Sequence, residues 1–450
     1  VIRRYLTYRG LEVSFVQNIT DVDDKIIKCA AEEGVPAAEV AAKYTAAFLD
    51  AMRALGVGKP TSQPKATETI TEMVGMVERL IERGHAYAVD GDVYFSVRSH
   101  PGYGKLSGRD IDELESGARV EVDERKADPL DFALWKAAKP GEPRWPSPWG
   151  EGRPGWHLEC SVMSERELGL PFDIHGGATD LVFPHHENEL AQSEAATGGE
   201  FVRYWVHGGL LQVNAEKMSK SLGNFMLLKD VLNLYDAPVV RLLMLQTHYR
   251  SPLDFSTGRL DDAQAGYDRI LNGLREMRWT CDAGTCGLGA PDAGRRALAE
   301  AVAGAREKFE AEMDDDFNAA GALAAVFGLL RETNGYVARY RADLGDADLE
   351  TVVAAESEIR ELLDVLGISL PAPGHVTTLP GEVVGLARQL AGYAGEDEQE
   401  AVDALLAARA VARTERNWAA ADAVRDGMAG LGFAVEDTPA GQRMVYRPDE

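Results

Sequence analysis

Five of the nine histidines in the chain, at positions 157, 175, 185, 186 and 207, crowd one stretch of sequence. Four of them lie in three runs: Gly155-Trp156-His157-Leu158-Glu159-Cys160, Phe172-Asp173-Ile174-His175-Gly176-Gly177 and Phe183-Pro184-His185-His186-Glu187-Asn188-Glu189. His185 and Glu189 are four apart, so on a helix they share one face. With Cys160 they offer a thiolate, an imidazole and a carboxylate, a borderline-soft donor set suited to Zn²⁺. Three protein donors with a position left open is the pattern of a functional metal site rather than a closed structural one. Taken singly, a histidine is ordinarily a satisfied core or surface residue and a cysteine a small buried apolar group. The set as a whole, following Phe183-Pro184, is what points to a metal. The neighbours His186 and Glu187 face elsewhere on such a helix and have at most a supporting part.

A second cluster is Glu216-Lys217-Met218-Ser219-Lys220-Ser221-Leu222-Gly223-Asn224. Two lysines three apart, among small hydroxyl residues and a glycine, predict a loop. A lysine is a compact positive charge on a flexible stem, able to follow phosphates as negative charge builds on a pyrophosphate leaving group. Two lysines alone would read as a solvated pair; the full run after an α/β unit favours the phosphate role. Upstream, Thr20 with Asp23 three residues later reads as the cap of a following helix. That is the better reading for Asp23, whereas Thr20 can cap and still border a pocket. Cys29, Cys281 and Cys286 have no histidine or cysteine partners nearby in sequence and read as incidental thiols.

The elements that must hold these groups follow from the rest of the pattern. The chain has 450 residues, 45% of them hydrophobic and 27% charged, an ordinary globular balance with room for about three domains. Its net charge of −26 argues against a generally basic nucleic-acid-binding surface but leaves room for a local groove. Four cysteines are too few for a disulfide framework. The longest uncharged apolar stretch, Phe317 to Leu330, is too short to span a bilayer, and no signal peptide opens the chain, so a cytoplasmic location with no membrane partner is expected. Val1, Ile2, Tyr5 and Leu6 share a helical face that starts without a cap and stops at Gly10, which predicts a further segment upstream. Leu11, Val13 and Phe15 alternate as in a strand. Helical periodicity runs over Val40, Tyr44, Phe48, Ala51 and Leu55, and again from Ile70 to Ile81, closed by Gly84. Two alternating runs, 87–89 and 93–97, flank the turn pair Asp90-Gly91 and predict an inserted hairpin. Residues 138–156, rich in proline and tryptophan, predict a rigid irregular loop. Beyond Leu260 helices dominate, interrupted by a glycine-rich loop at Cys281–Ala293 and a Pro/Gly linker at Leu370–Glu382. No repeat of solenoid length is present.

From Leu405 onward Ala408, Val411 and Ala412 give an apolar face, and Arg409, Arg413, Arg416 and Arg425 a hydrophilic one. In this stretch arginines outnumber Glu415, Asp422 and Asp426, a positive island against the acidic whole. Trp418 among them reads either as a platform for an unpaired base or as a packed core residue, and composition alone leans to the core.

Lys217-Met218-Ser219-Lys220-Ser221 is the signature of class I aminoacyl-tRNA synthetases. With the runs from Trp156 and Phe183, and with Asn18-Ile19-Thr20-Asp21-Val22-Asp23-Asp24-Lys25, the chain resembles the cysteinyl-tRNA synthetases over essentially its whole length. The resemblance implies an α/β fold: a Rossmann-like class I core with an inserted subdomain, then a helical bundle and a small C-terminal module. The expected divisions are 1–85 and 151–260 for the core, 86–150 for the insertion, 261–370 for a tRNA-binding bundle and 378–450 for an anticodon-binding module. It implies one zinc ion on Cys160, His185 and Glu189, substrate contacts from Thr20, Trp156 and His175, and catalysis by Lys217 and Lys220, with Lys220 touching ATP. Arg413, Trp418 and Asp422 match positions that contact the anticodon. The family's additional zinc-binding cysteine and its His-Ile-Gly-His tetrapeptide precede the Asn-Ile-Thr strand, and so would belong to the expected upstream segment. The implied activity is cysteine–tRNA ligase, with cysteine, ATP, Mg²⁺ and tRNA(Cys) as substrates and partners and a monomeric protein. Two rivals remain: an ATP-dependent cysteine ligase of mycothiol synthesis, and a non-catalytic tRNA-binding remnant.

Overall fold

The structure, a computed structural model, describes residues 1–111, 125–213, 216–217, 226–284, 287, 289–371, 379–438 and 441–446. The chain forms two compact units, Val1–Leu260 and Asp261–Glu450.

The first unit opens on α1 (Ile2–Tyr8), which has no side-chain cap, buries Tyr5 and gives way to Gly10 in the left-handed region. The alternation of Leu11, Val13 and Phe15 does not become a strand. Leu11 and Phe15 are exposed; Phe15 bonds Thr61 and Ser62, and the residues after it form isolated parallel bridges, Val16 to Ser62 and Ile19 to Lys65. A strand needs a ladder and a face to bury; here the alternation has neither.

α2 (Asp24–Glu33) begins where the acidic run predicts, with Asp23 accepting from the Lys25 amide at 2.8 Å. Thr20 takes no part in that cap. After α3 (Ala37–Ala54), α4 (Ile70–Glu82) sinks Met73, Met76, Val77 and Leu80 completely into the core. The hairpin of β1 (Ala86–Val89) and β2 (Asp92–Phe95) turns on Asp90 and Gly91, both at positive φ as a tight primed turn requires. β3 (Phe132–Ala137) and β4 (Gly152–Pro154) extend it to a four-stranded antiparallel sheet in sequence order. The 138–156 loop therefore ends in a short strand. At its exit the backbone of Gly155 lies so close to the Ala133 carbonyl that any Cβ would collide. This launches α5 (Trp156–Leu168) directly from the sheet edge. β5 (Phe172–Ala178) and β6 (Val202–Gly208) pair in parallel, with α6 (Glu187–Thr197) as their crossover. β7 (Leu211–Val213) lies parallel to β9 (Leu253–Asp254) and antiparallel to β8 (Glu216–Lys217). Between β8 and β9 run α7 (Leu228–Val231) and α8 (Ala237–Leu245).

The second unit is helical: it holds all but the first residues of α9 (Thr257–Ala283), then α10 (Asp292–Asp314), α11 (Ala319–Tyr340) and α12 (Asp346–Val365). Phe309, Val326, Val337, Ile359 and Leu362 form its dry interior. Cys281 sits in the last turn of α9, so the glycine-rich loop is shorter than its composition suggests. A separate cluster of Val383, Ala387, Val402, Leu405, Met428 and Phe433 joins α13 (Glu382–Ala391), α14 (Glu398–Thr414), α15 (Trp418–Ala429) and a terminal hairpin, β10 (Phe433–Thr438) with β11 (Gly441–Tyr446). Helical periodicity gave no sign of that hairpin. It also corrects the placing of Arg409 on the hydrophilic face: Arg409 is buried and donates to Gln442 of β11 at 2.6 Å. Among the described residues no helix is long and apolar enough to cross a membrane.

Two positions of α12 separate burial from propensity. Leu362 is fully buried and Val353 is 46% exposed. Leu362→Ala is expected to lower stability by about 2–5 kcal/mol, and Val353→Ala to change it by less than about 0.5 kcal/mol. Urea unfolding followed by circular dichroism measures both; equal losses would contradict this packing.

Candidate active site

α5, β5 and the start of α6 bring the three histidine-bearing runs together. Cys160 lies in the second turn of α5. His185 lies in a kinked segment, Val182–His186, in which Phe183 is extended and which runs on into α6, whose first turn carries Glu189. Cys160 Sγ is 3.7 Å from His185 Nε2, and His185 Nε2 is 2.7 Å from Glu189 Oε1. His175, from β5, meets the other carboxylate oxygen at 2.9 Å. Two groups of donor atoms thus converge on Glu189, each within 4.8 Å: Cys160, His185 and Glu189, and His175, His186 and Glu189. Two ring pairs surround them, His157 Nδ1 with His185 Nδ1 at 2.9 Å and His186 Nδ1 with His207 Nε2 at 2.8 Å. The backbone of Gly177 leaves no room for a Cβ against the His186 ring, so this strand position requires glycine. Trp156 stacks on His185 at 4.1 Å between ring centroids and keeps an exposed face.

Of the polar supports, the sequence singled out Glu187 but not Ser161, Asn188 or Gln192. Ser161 donates to the Glu189 carbonyl at 3.2 Å, and buried Gln192 donates to Ser161 at 2.7 Å and to the His157 carbonyl, bolting α5 to α6. Gln192 lies three residues after Glu189, so their shared helix face was the available signal. Glu187 is fully buried and accepts from the amides of Gly104 at 2.9 Å and Ser107 at 2.7 Å, while Asn188 accepts from Tyr103 at 2.6 Å. These two residues anchor the loop after the hairpin to α6.

The electrostatics are those of a desolvated, carboxylate-centred site. Burial alone would raise Glu189, but the His175 and His185 rings outweigh it and hold the carboxyl well below its usual range. Burial pushes the Cys160 thiol far up, and Glu189 and Glu159 add to that. Burial lowers His157 to about 3, with help from His185, and His186 to about 3 as well. Next to Cys160 on α5, Glu159 accepts from Thr20 Oγ1 at 3.0 Å. Burial raises Glu159 to about 8; the Thr20 hydrogen bond opposes this, and Asp21, Asp23 and Glu189 reinforce it. Asp21 itself accepts from the Thr67 amide at 2.9 Å and hydroxyl at 2.6 Å, fixing the backbone beside Thr20.

A cavity of about 1230 Å³ opens beside this cluster, with Asp24, Arg109, Lys136, Trp156, His157 and Phe183 in its wall. Of the two lysines, Lys217 has its backbone on β8, and Lys220 lies outside the described residues. At the far end of the chain Arg413 ends α14 with its guanidinium 5.8 Å from the ring centre of Trp418. Trp418 begins α15 and is 56% exposed, which answers the core reading in the negative. Asp422 pairs with Arg425 at 3.0 Å rather than with Arg413.

Models of known families match the chain in three places. The catalytic domain of class I (C) tRNA synthetases matches residues 1–265, a DALR domain 308–371, and the cysteinyl-tRNA ligase anticodon binding domain 396–447. The cysteine–tRNA ligase of Geobacter sulfurreducens is 49% identical over 441 residues, which cover 98% of this chain and 89% of that protein. The cysteine–tRNA ligase of Pelotomaculum thermopropionicum is 47% identical over 454 residues, again 98% of this chain and 89% of the relative. Among solved structures, Mycobacterium tuberculosis methionyl-tRNA synthetase in complex with methionyl-adenylate shares the fold, with a TM-score of 0.61 at 16% identity over 81% of this chain and 84% of that one. The chain belongs to the cysteine–tRNA ligases, a family of class I aminoacyl-tRNA synthetases.

Proposed function

We propose that the protein is a cysteine–tRNA ligase whose amino-acid pocket is built on Cys160, His185 and Glu189. The observation that carries this reading is the convergence of sulfur, imidazole and carboxylate donors on one point beside an exposed, stacked tryptophan. The donor set suits Zn²⁺: one soft, one intermediate and one hard ligand, the last of them fully buried. Zinc held there would take the sulfur of cysteine as a ligand, a bond that the hard hydroxyl of serine cannot match. A cation at this point would also reverse the effect of burial on Cys160, since a coordinating thiol is deprotonated.

The chain's own residues then orient the reaction. Trp156, packed on His185, closes over the side chain, and Thr20 and His175 border the same pocket. The cysteine carboxylate attacks the α-phosphate of ATP, giving cysteinyl-adenylate and pyrophosphate, and the tRNA 3′ end takes the cysteinyl group. Lys217 and Lys220 are the charges that meet the phosphates, Mg²⁺ accompanying them, so catalysis is mostly positioning and charge stabilisation. The match over residues 396–447 supports tRNA rather than an amino sugar as acceptor. Arg413, Trp418 and Asp422 are the proposed anticodon contacts, and the divisions at 85, 150, 260 and 370 are the proposed domain limits. A cytoplasmic, monomeric, zinc-bearing protein completes the reading.

Three substitutions test it. Cys160→Ser is expected to lose zinc and cysteine activation while keeping tRNA binding; normal zinc by atomic absorption would remove Cys160 from the ligand set. Lys220→Ala is expected to slow ATP–pyrophosphate exchange far more than it weakens cysteine binding, because its charge is needed as pyrophosphate develops. Unchanged exchange would leave the lysine without that role. Trp418→Ala is expected to weaken tRNA binding by about 1–3 kcal/mol, the worth of one base–aromatic stack, with cysteine activation and the melting temperature unchanged. An early-melting variant with normal tRNA affinity would favour packing over recognition.

A further inference from the structure

His185 and Glu189 straddle the start of α6, and a helix is weakest at its ends. The first amides there have no carbonyl within the helix to bond, and the ends fray before the middle. A side-chain cap is the usual remedy. Neither α6 nor the segment Val182–His186 before it has one. Within that segment Phe183 leaves the helical conformation, and Pro184 has no N–H to offer. Two of the three proposed metal donors therefore hang on an uncapped first turn.

Ser161 fastens one carbonyl of this turn to α5. A second hold comes from the loop 100–109, which follows the inserted hairpin and belongs to neither helix. Tyr103 donates its hydroxyl to the Asn188 amide oxygen at 2.6 Å. Gly104 and Ser107 donate their amides to Glu187 at 2.9 and 2.7 Å. Lys105 pairs with Glu194, two turns further along, at 2.6 Å. At the loop's other end the Arg109 guanidinium lies 4.3 Å from the centre of the Phe183 ring, the residue at which the helical path breaks. The loop thus grips the chain on both sides of the kink. Its inner contacts are the firm ones: Tyr103 and Asn188 are both buried, whereas Lys105 and Arg109 are exposed. A buried amide oxygen stripped of its donor costs more than the bond itself contributes, and Asn188 is the immediate neighbour of Glu189.

We propose that the loop 100–109 is a clamp that replaces the missing cap of α6 and holds His185 and Glu189 at the spacing the metal needs. Tyr103 is its positioning residue, acting through Asn188 on Glu189. The inference rests on the reading that Cys160, His185 and Glu189 hold zinc.

The test is the rate at which zinc passes from the purified zinc-loaded protein to an excess of a chromogenic chelator, zinc content being measured first by atomic absorption. Tyr103→Phe keeps the ring and removes the hydroxyl. It is expected to release zinc about tenfold faster or more, the usual cost of losing a residue that orients a metal ligand. Tyr336→Phe is the matched control, the same change at a buried tyrosine of α11 whose hydroxyl donates to Asp348. It is expected to unfold at lower urea yet release zinc at the wild-type rate, since distant sites act independently. A wild-type rate in Tyr103→Phe overturns the proposal. So does an equal acceleration in Tyr336→Phe, which would make zinc loss a measure of general stability. Should Tyr103→Phe fail to fold, Arg109→Met at the exposed end of the clamp carries the comparison: release about two- to fivefold faster is expected, the worth of an exposed cation–π contact, and an unchanged rate overturns the clamp. Absence of zinc in the wild type overturns the metal reading itself, whereas a zinc-loaded wild type beside a Tyr103→Phe that keeps its zinc equally long overturns only the clamp.

Discussion

The carboxylate of Glu189, sealed from solvent between His175 and His185, is the interaction around which the first unit is arranged. A buried carboxylate is tolerated only when both oxygens are met by donors or cations. Meeting them requires β5 to deliver His175 from one side and the kinked segment before α6 to deliver His185 from the other. The parallel pairing of β5 with β6, with α6 as crossover, is the topology that sets a strand end beside a helix start. Gly177 then allows the close approach that brings His186 against the strand. In this sense the fold serves the carboxylate, and the carboxylate assembles the donors.

A site of this kind must also be stiff, because donor atoms misplaced by an ångström lose much of their effect. The stiffness is polar rather than apolar. Ser161, Gln192, Glu187 and Asn188 are buried side chains whose bonds cross between α5, α6 and the loop at 103–107. Their partners are backbone groups, one another and the Tyr103 hydroxyl. α6 is accordingly buried nearly all round and shows almost no amphipathic pattern.

That explains what the sequence did and did not disclose. The convergence of Cys160, His185 and Glu189 was legible because cysteine and histidine are rare in this chain and an i, i+4 spacing survives in any helix. The Asp90-Gly91 turn, the cap at Asp23 and the helix from Ile70 to Glu82 were legible because they depend on local rules. The strand expected from Leu11 to Phe15 failed because alternation reports a face, not a partner. The terminal hairpin was hidden for the converse reason. Its pairing, and the Arg409–Gln442 bond that turns an arginine inward, are tertiary facts with no local trace. The Thr20–Glu159 bond spans 139 positions and lay equally beyond reach.

The same correction bears on how so acidic a chain meets tRNA. Of the four arginines that make a positive island in sequence, Arg409 is turned into the module and Arg425 is held by Asp422 and Asp426. Arg413 and Arg416 precede Trp418 in the chain, and the Arg413 guanidinium is set against the indole. Among the described residues this face presents few cations to phosphates, so it has little of the counterion release that drives non-specific binding. What it offers is an exposed aromatic face bordered by a planar cation, the pairing on which a splayed base stacks. On the tRNA-binding reading, this module therefore recognises bases more than backbone, and a net charge of −26 works in its favour by holding off every polyanion that does not present the right unpaired bases.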